Sequence, residues 1–319
     1  MLGVVVAALY LLLPRLVDTE HTLGLVQGAD YALLALAVVL EVCALLAYAN
    51  LTRYVFCVLD IDLRLRDVLS ITVGSLAVSH LLSAGGVTGW IVTYNALRRR
   101  NVPHGLVFVA IAAQQFFNYV VLWALFGIAL VYLIVARGAS IASYLAAILL
   151  IALLLWLTGY GIYLYNQPTK MRRRVGQVAG LVNRITRRET VKEEHVDEWL
   201  DNLFAGMRRM TSHSGAIPRT FLFACGYWLF DLLCLYLTFF AFDFRIGVVY
   251  LVLGYIIAYA VGSLAPTPGG LGAVEGLMIA LYAGFGVPSA IAVAVVLVYR
   301  LINFWLPIPP GLLSYALIR

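Results

Sequence analysis

The sequence predicts an all-α polytopic membrane protein, built as inverted repeats with two broken or re-entrant hairpins and an amphipathic cytoplasmic segment. Three observations carry that reading. Of the 319 residues, 63% are hydrophobic and only 12% charged, about half the charge of a soluble domain, and the apolar residues gather into runs of membrane-crossing length. Two of those runs are broken, by Ser83-Ala84-Gly85-Gly86-Val87-Thr88-Gly89 and by Pro266-Thr267-Pro268-Gly269-Gly270-Leu271-Gly272. One polar stretch, Gln167 to Arg219, holds 11 of the 22 basic residues.

In chain order, Leu2 to Leu13 is short for a crossing and reads as an incomplete N-terminal helix. It lacks a basic flank and an A-x-A site, so no cleaved signal peptide is expected. Tyr31 to Tyr48 spans the membrane with Glu41 inside it, and Asn50 to Asp67 is a charged linker. Residues 68–97 form the first broken hairpin, because neither arm reaches the ~20 residues that a crossing needs. Gly105–Val135 spans with tilt, and Ile141–Tyr165 spans back. Residues 167–216 form a basic linker, cytoplasmic by the positive-inside rule. Its apolar residues recur at helical spacing (Met171, Val175, Val178, Leu181, Val182, Ile185; then Val196, Trp199, Leu200, Leu203, Phe204, Met207). These predict two amphipathic helices, whose apolar stripes either lie on the inner leaflet or pack on the transmembrane bundle. Phe221–Ala241 spans outward with Asp231 inside it, residues 247–286 form the second broken hairpin, and Pro288–Leu306 is the last span, with Arg300 inside it. Pro307, Pro309 and Pro310 kink or end it. About six full spans result, in an N-terminal half (1–166), the linker (167–216) and a C-terminal half (217–319).

The two breaks align with each other. Gly85-Gly86 falls on Gly269-Gly270, an offset of 184 residues, with Ser79 opposite Ser263. With small gaps, Asp62-Leu63-Arg64 answers Asp243-Phe244-Arg245, Val102-Pro103 answers Val287-Pro288, and Gln115 to Tyr119 answers Arg300 to Phe304. Four matches in register indicate duplication. With the basic linker inside, three crossings separate the hairpins, so the copies face opposite ways. Inverted repeats whose broken segments meet near the midplane suit alternating access.

Glu41, Asp231, Glu275 and Arg300 fall within spans or hairpins, where a charge is costly unless it faces protein or water. The expected substrate path is Glu275, Arg300, Asp231, Asn303, Asn118, Gln115 and His80. Gly85, Gly86, Pro266, Pro268, Gly269, Gly270 and Gly272 break the backbone and free its polar groups. Each reading has a structural counterpart: Glu275–Arg300 as a packing pair, His80 as a packed histidine, and Asn118 and Asn303 as interhelical hydrogen-bond glue. Three carboxylates against one arginine suit a cationic or zwitterionic headgroup, with Arg300 available to a phosphate.

Cys43, Cys57, Cys225 and Cys234 lie in or beside apolar runs and carry no metal spacing. No P-loop, H-E-x-x-H or G-x-S-x-G motif occurs, and Gly270-x-Gly272-x-x-x-Gly276 misses the dinucleotide spacing. No cofactor, metal or enzyme activity is therefore expected. The net charge of +6, carried by twenty arginines with only Lys170 and Lys192, points to anionic headgroups and not to nucleic acid.

Pro266 to Gly276, followed by Arg300-Leu301-Ile302-Asn303-Phe304-Trp305-Leu306-Pro307 and Gly311, resembles the signature of the flippase-like transmembrane region of the lysylphosphatidylglycerol synthase family and its stand-alone, uncharacterised relatives. The resemblance is sharpest over Gly262 to Gly311 and extends over the whole chain. It implies movement of phosphatidylglycerol, in aminoacylated form, from inner to outer leaflet. The soluble domain that makes that lipid in the fused synthases has no counterpart here, so lysyl transfer is not implied. Leu82 to Gly86 also lacks the proline, Gly-Glu and arginine often found in the first copy of that family. Relatives found alongside glycosyltransferases keep a polyprenyl-linked lipid open as cargo.

The expected function is translocation of an amphipathic lipid, a phospholipid or modified phosphatidylglycerol, between leaflets of the cell membrane. The alternatives are a membrane-embedded transferase, or an accessory scaffold for a synthase or glycosyltransferase that modifies lipids. An ion-coupled exporter of a small solute and a homo-oligomeric assembly also remain open.

Overall fold

The computed structural model describes residues 24–82, 87–137, 169–177, 193–212, 215–263 and 267–318, with single positions at 159, 163, 167 and 265. Helix is the only regular structure among the described residues, and the fold is all-α. In chain order the helices are α1 (Tyr31–Val58), α2 (Leu65–Leu81), α3 (Val87–Arg98), α4 (His104–Arg137), α5 (Glu193–Ser212), α6 (Ala216–Ala241), α7 (Val248–Ser263), α8 (Ala273–Gly284), α9 (Ser289–Arg300) and α10 (Ile308–Ile318). A 3-10 turn (Pro268–Gly270) separates α7 from α8, and a π-helical turn (Leu301–Trp305) joins α9 towards α10. Among the described residues, four stretches are long and apolar enough to cross a membrane: Tyr31–Val58, His104–Leu133, Ile217–Ala241 and Ser289–Ala316. The chain is a multi-pass membrane protein. The expected span Ile141–Tyr165 falls almost wholly outside the described residues, as do Leu2–Leu13, Gly85, Gly86 and Pro266.

The chain forms two compact units that interleave in sequence: residues 1–49, 69–92 and 224–319 in the first, 50–68 and 93–223 in the second. Trp228, Phe239, Tyr282, Tyr299 and Phe304 are the largest fully buried side chains of the first unit. Within it, α7 and α8 pack through small residues. A Cβ on Gly254 would run into the Tyr282 ring, and one on Gly262 into Val274. Eight residues apart, these glycines share one helix face and let the backbones approach closely. A similar seam joins α2 to α10, where Gly311 sits against Val73 and Ala77, and Gly74 against Tyr315.

Two expected boundaries move. α1 does not stop at Tyr48 but continues to Val58, because Asn50 to Val58 holds no glycine or proline and buries Leu51, Thr52, Val55 and Phe56. It starts at a proper cap, Asp30, whose Oδ1 accepts from the N–H groups of Ala32 (2.9 Å) and Leu33 (3.3 Å), and it ends where Asp60 takes a left-handed φ of 59°. The span Pro288–Leu306 is not one regular helix. It passes through the π turn and resumes as α10 to Ile318. Pro309 and Pro310 fall in the first turn of α10, where a missing N–H costs no helical bond.

In the second unit α5 uses its apolar stripe against protein. Leu200, Leu203 and Phe204 are buried, Trp199 meets Phe108 of α4 edge-on at 4.9 Å, and Gly206 sits against Val109 and Leu59. Arg209 closes the contact with Asp60 (2.8 Å). Arg172, in the helical stretch 169–177, bonds Asp197 (2.7 Å) and Asp201.

Candidate functional site

A proline- and glycine-rich break in an apolar hairpin frees backbone groups that must be satisfied inside the protein. At the second break, Glu275 and Arg300 meet that demand. Gly269 and Gly272 hold φ values of 55° and 82°, a left-handed backbone that glycine adopts without steric cost. The Gly272 N–H then donates to Glu275 Oε2 at 2.6 Å, which ties the carboxylate to the start of α8, where the helix dipole favours negative charge. Arg300 Nε donates to Glu275 Oε1 at 2.5 Å, and its Nη2 donates to the Gly269 carbonyl at 3.3 Å. The guanidinium carbon lies 4.3 Å from the centre of the Phe304 ring, within cation–π range.

The same Phe304 receives the end of the first hairpin. His80 stacks on its ring at 4.2 Å and places Nδ1 3.1 Å from its carbonyl oxygen. Any side chain at Gly269 would meet Phe304 and the His80 carbonyl. The last turn of α2 thus packs directly on the second break.

Beside this pair lies a second polar cluster. Asp231 on α6 is fully buried, with 0% exposure. Its Oδ2 accepts from Tyr255 Oη of α7 at 2.6 Å, and its Oδ1 from Tyr299 Oη of α9 at 2.7 Å. Asn303 Nδ2 donates to Asp231 Oδ1 and to Glu41 Oε1 of α1, both at 3.1 Å. The π turn brings Asn303 and Phe304 into the site, and such turns occur often at functional positions.

Of the sequence-predicted path, the structure brings together Glu275, Arg300, Asp231, Asn303 and His80, along with Pro268, Gly269, Gly270 and Gly272 of the break. Gln115 and Asn118 belong to α4 in the second unit, where Asn118 is buried and the neighbouring Gln114 donates to Thr52 at 2.8 Å. Three contributors escape the sequence-predicted path: Glu41, Tyr255 and Tyr299. The signal for Glu41 was a carboxylate in the middle of an apolar span. For the tyrosines it was a hydroxyl in an apolar helix, which needs a partner when buried.

Residues 1–311 match the family model described as the lysylphosphatidylglycerol synthase transmembrane region. The chain belongs to this family. As a member of the lysylphosphatidylglycerol synthase transmembrane family, it is also similar to several archaeal proteins named as UPF0104 membrane proteins. One from Methanothermobacter thermautotrophicus is 26% identical over 314 residues, covering 96% of this chain and 90% of the relative. One from Pyrococcus horikoshii is 23% identical, covering 90% and 88%, and one from Methanocaldococcus jannaschii is 21% identical, covering 89% and 84%.

Proposed function

We propose that this protein moves an amphipathic lipid between the leaflets of the cell membrane, the headgroup passing the break that Glu275 and Arg300 organise. The observation that carries the reading is the buried polar cluster at a discontinuous helix. Helical continuity is given up between Ser263 and Ala273, in a segment whose flanks are almost wholly apolar. A protein that only anchored a partner would have no need for that expense. The proposed architecture is a pair of inverted repeats, with the linker 167–216 cytoplasmic. The His80 carbonyl lying against Gly269 supports a meeting of the two hairpins. Membership of a family described as a lysylphosphatidylglycerol synthase region supports a phospholipid or modified phosphatidylglycerol as cargo. Arg300 is the anion-binding group in the path, and a phosphate that draws on its Nε or Nη2 competes with Glu275 and the Gly269 carbonyl, so the pair acts as a gate.

The test is flipping of fluorescent phosphatidylglycerol in proteoliposomes, read by chemical quenching of the outer leaflet. Wild-type protein should flip the lipid, and Glu275→Gln should slow it about tenfold, which corresponds to ~1.4 kcal/mol at the barrier. A folded Glu275→Gln that flips at the wild-type rate removes Glu275 from the path, and wild-type protein that flips no lipid overturns the reading. Cysteines at Ser79 and Ser263 should label from both faces of the membrane, whereas a transferase site would open to one face only.

A further inference from the structure

Glu41 and Asp231 share a donor but have no cation of their own. Both Glu41 Oε1 and Asp231 Oδ1 lie 3.1 Å from Asn303 Nδ2, so the two oxygens are no more than about 6 Å apart. The two carboxylates are treated unequally. Asp231 has three donors, Tyr255, Tyr299 and Asn303, enough to hold an anion. Glu41 shares the Asn303 amide and otherwise meets the Asp231 carboxyl itself. It is 2% exposed, and its Oε2 is buried with no hydrogen-bond partner. The elements around the pair supply little else: Tyr227 and Cys234 from α6, Tyr282 from α8, and Arg300 from α9, with His80 of α2 next to Arg300. Arg300 is the cation in this group, and its Nε is already given to Glu275. An ionised Glu41 would leave one negative charge uncompensated.

We infer that Glu41 and Asp231 form a binding site for one monovalent cation, a proton or Na+, whose occupancy drives the lipid step. One positive charge is what the geometry lacks, since Asp231 is already satisfied as an anion. Ca2+ or Mg2+ would demand six or more oxygen ligands, and no group of three or more metal-binding side chains occurs among the described residues. Asn303 connects the cation site to the headgroup path. It stands three residues after Arg300, one turn along, so a change in the charge on Glu41 pulls on the segment that carries the Glu275 partner. This inference rests on the lipid-flipping reading and names its energy source.

The experiment is the steady-state distribution of fluorescent phosphatidylglycerol in proteoliposomes under a pH gradient of one unit, and separately under a tenfold Na+ gradient. Coupling to one cation per lipid shifts the distribution by up to about tenfold, under the pH gradient for a proton and under the other for Na+. Glu41→Gln should return the distribution to even. A wild-type protein that flips quickly to an even distribution under both gradients overturns the coupling and leaves the flipping reading intact. No flipping in either protein ends both. A second measurement needs no variant activity: infrared titration of the wild type in detergent should show a buried carboxyl changing state with pH or with Na+. No such change overturns the site.

Discussion

His80 Nδ1 lies 3.1 Å from the carbonyl oxygen of Phe304, 224 residues away in the chain. A carbonyl only accepts, so the proton sits on Nδ1. The bond falls in a segment where Pro307, Pro309 and Pro310 have removed backbone donors. His80 thus fastens the first hairpin to a stretch of backbone short of partners. His80→Phe keeps the ring stack and loses the donor, and should lower stability by about 1–3 kcal/mol, the cost of a buried acceptor left bare. Thermal unfolding in detergent would show it, and an unchanged midpoint would mean that the carbonyl finds another donor.

The Glu275–Arg300 pair is buried, so removing one partner should cost more than removing both. Arg300→Met leaves a carboxylate held only by the Gly272 N–H and should destabilise by about 3–5 kcal/mol. Glu275→Met with Arg300→Met should recover part of that loss. A double-mutant cycle with additive losses would argue against direct coupling.

Two glycines of the break should respond differently to a methyl group. Gly272 has a φ of 82° and open space around its Cβ direction, so Gly272→Ala should cost only the left-handed backbone, about 1–2 kcal/mol. Gly269→Ala adds a collision with the Phe304 ring and the His80 carbonyl and should be clearly worse. Equal midpoints for the two variants would place Phe304 elsewhere.

The apolar stripe of α5 packs on α4. A cysteine at Leu200, which is fully buried, should label slowly with a water-soluble thiol reagent whatever the charge of the surrounding lipid. Labelling that slows only with anionic lipid would instead indicate adsorption to headgroups.

The second break was legible because its signal is covalent. Proline and glycine dictate where a helix stops, and the second hairpin, read as 247–286, resolves into Val248–Ser263 and Ala273–Gly284. Glu275 and Arg300 were legible because charge within an apolar run demands a partner. Tyr255 and Tyr299 were not, since a tyrosine counts as apolar mass in a hydropathy pattern while its hydroxyl does the bonding. Glu41 stood out by the same rule, but its partner lies 262 residues away, so its place beside the path was not legible. The π turn at Leu301–Trp305 is too short to disturb any periodicity. The extension of α1 to Val58 was hidden by Asn50 and Arg53, polar residues that a helix tolerates well.

The π turn also sets the azimuth of everything downstream. It accommodates one residue more than an α-helical turn would, and a residue is worth about 100° of rotation around a helix axis. Deleting a single residue from Leu301–Trp305 would swing α10 round by that angle and carry Gly311 off Val73 and Ala77. A lesion of this kind would unseat the first hairpin without touching a charged group.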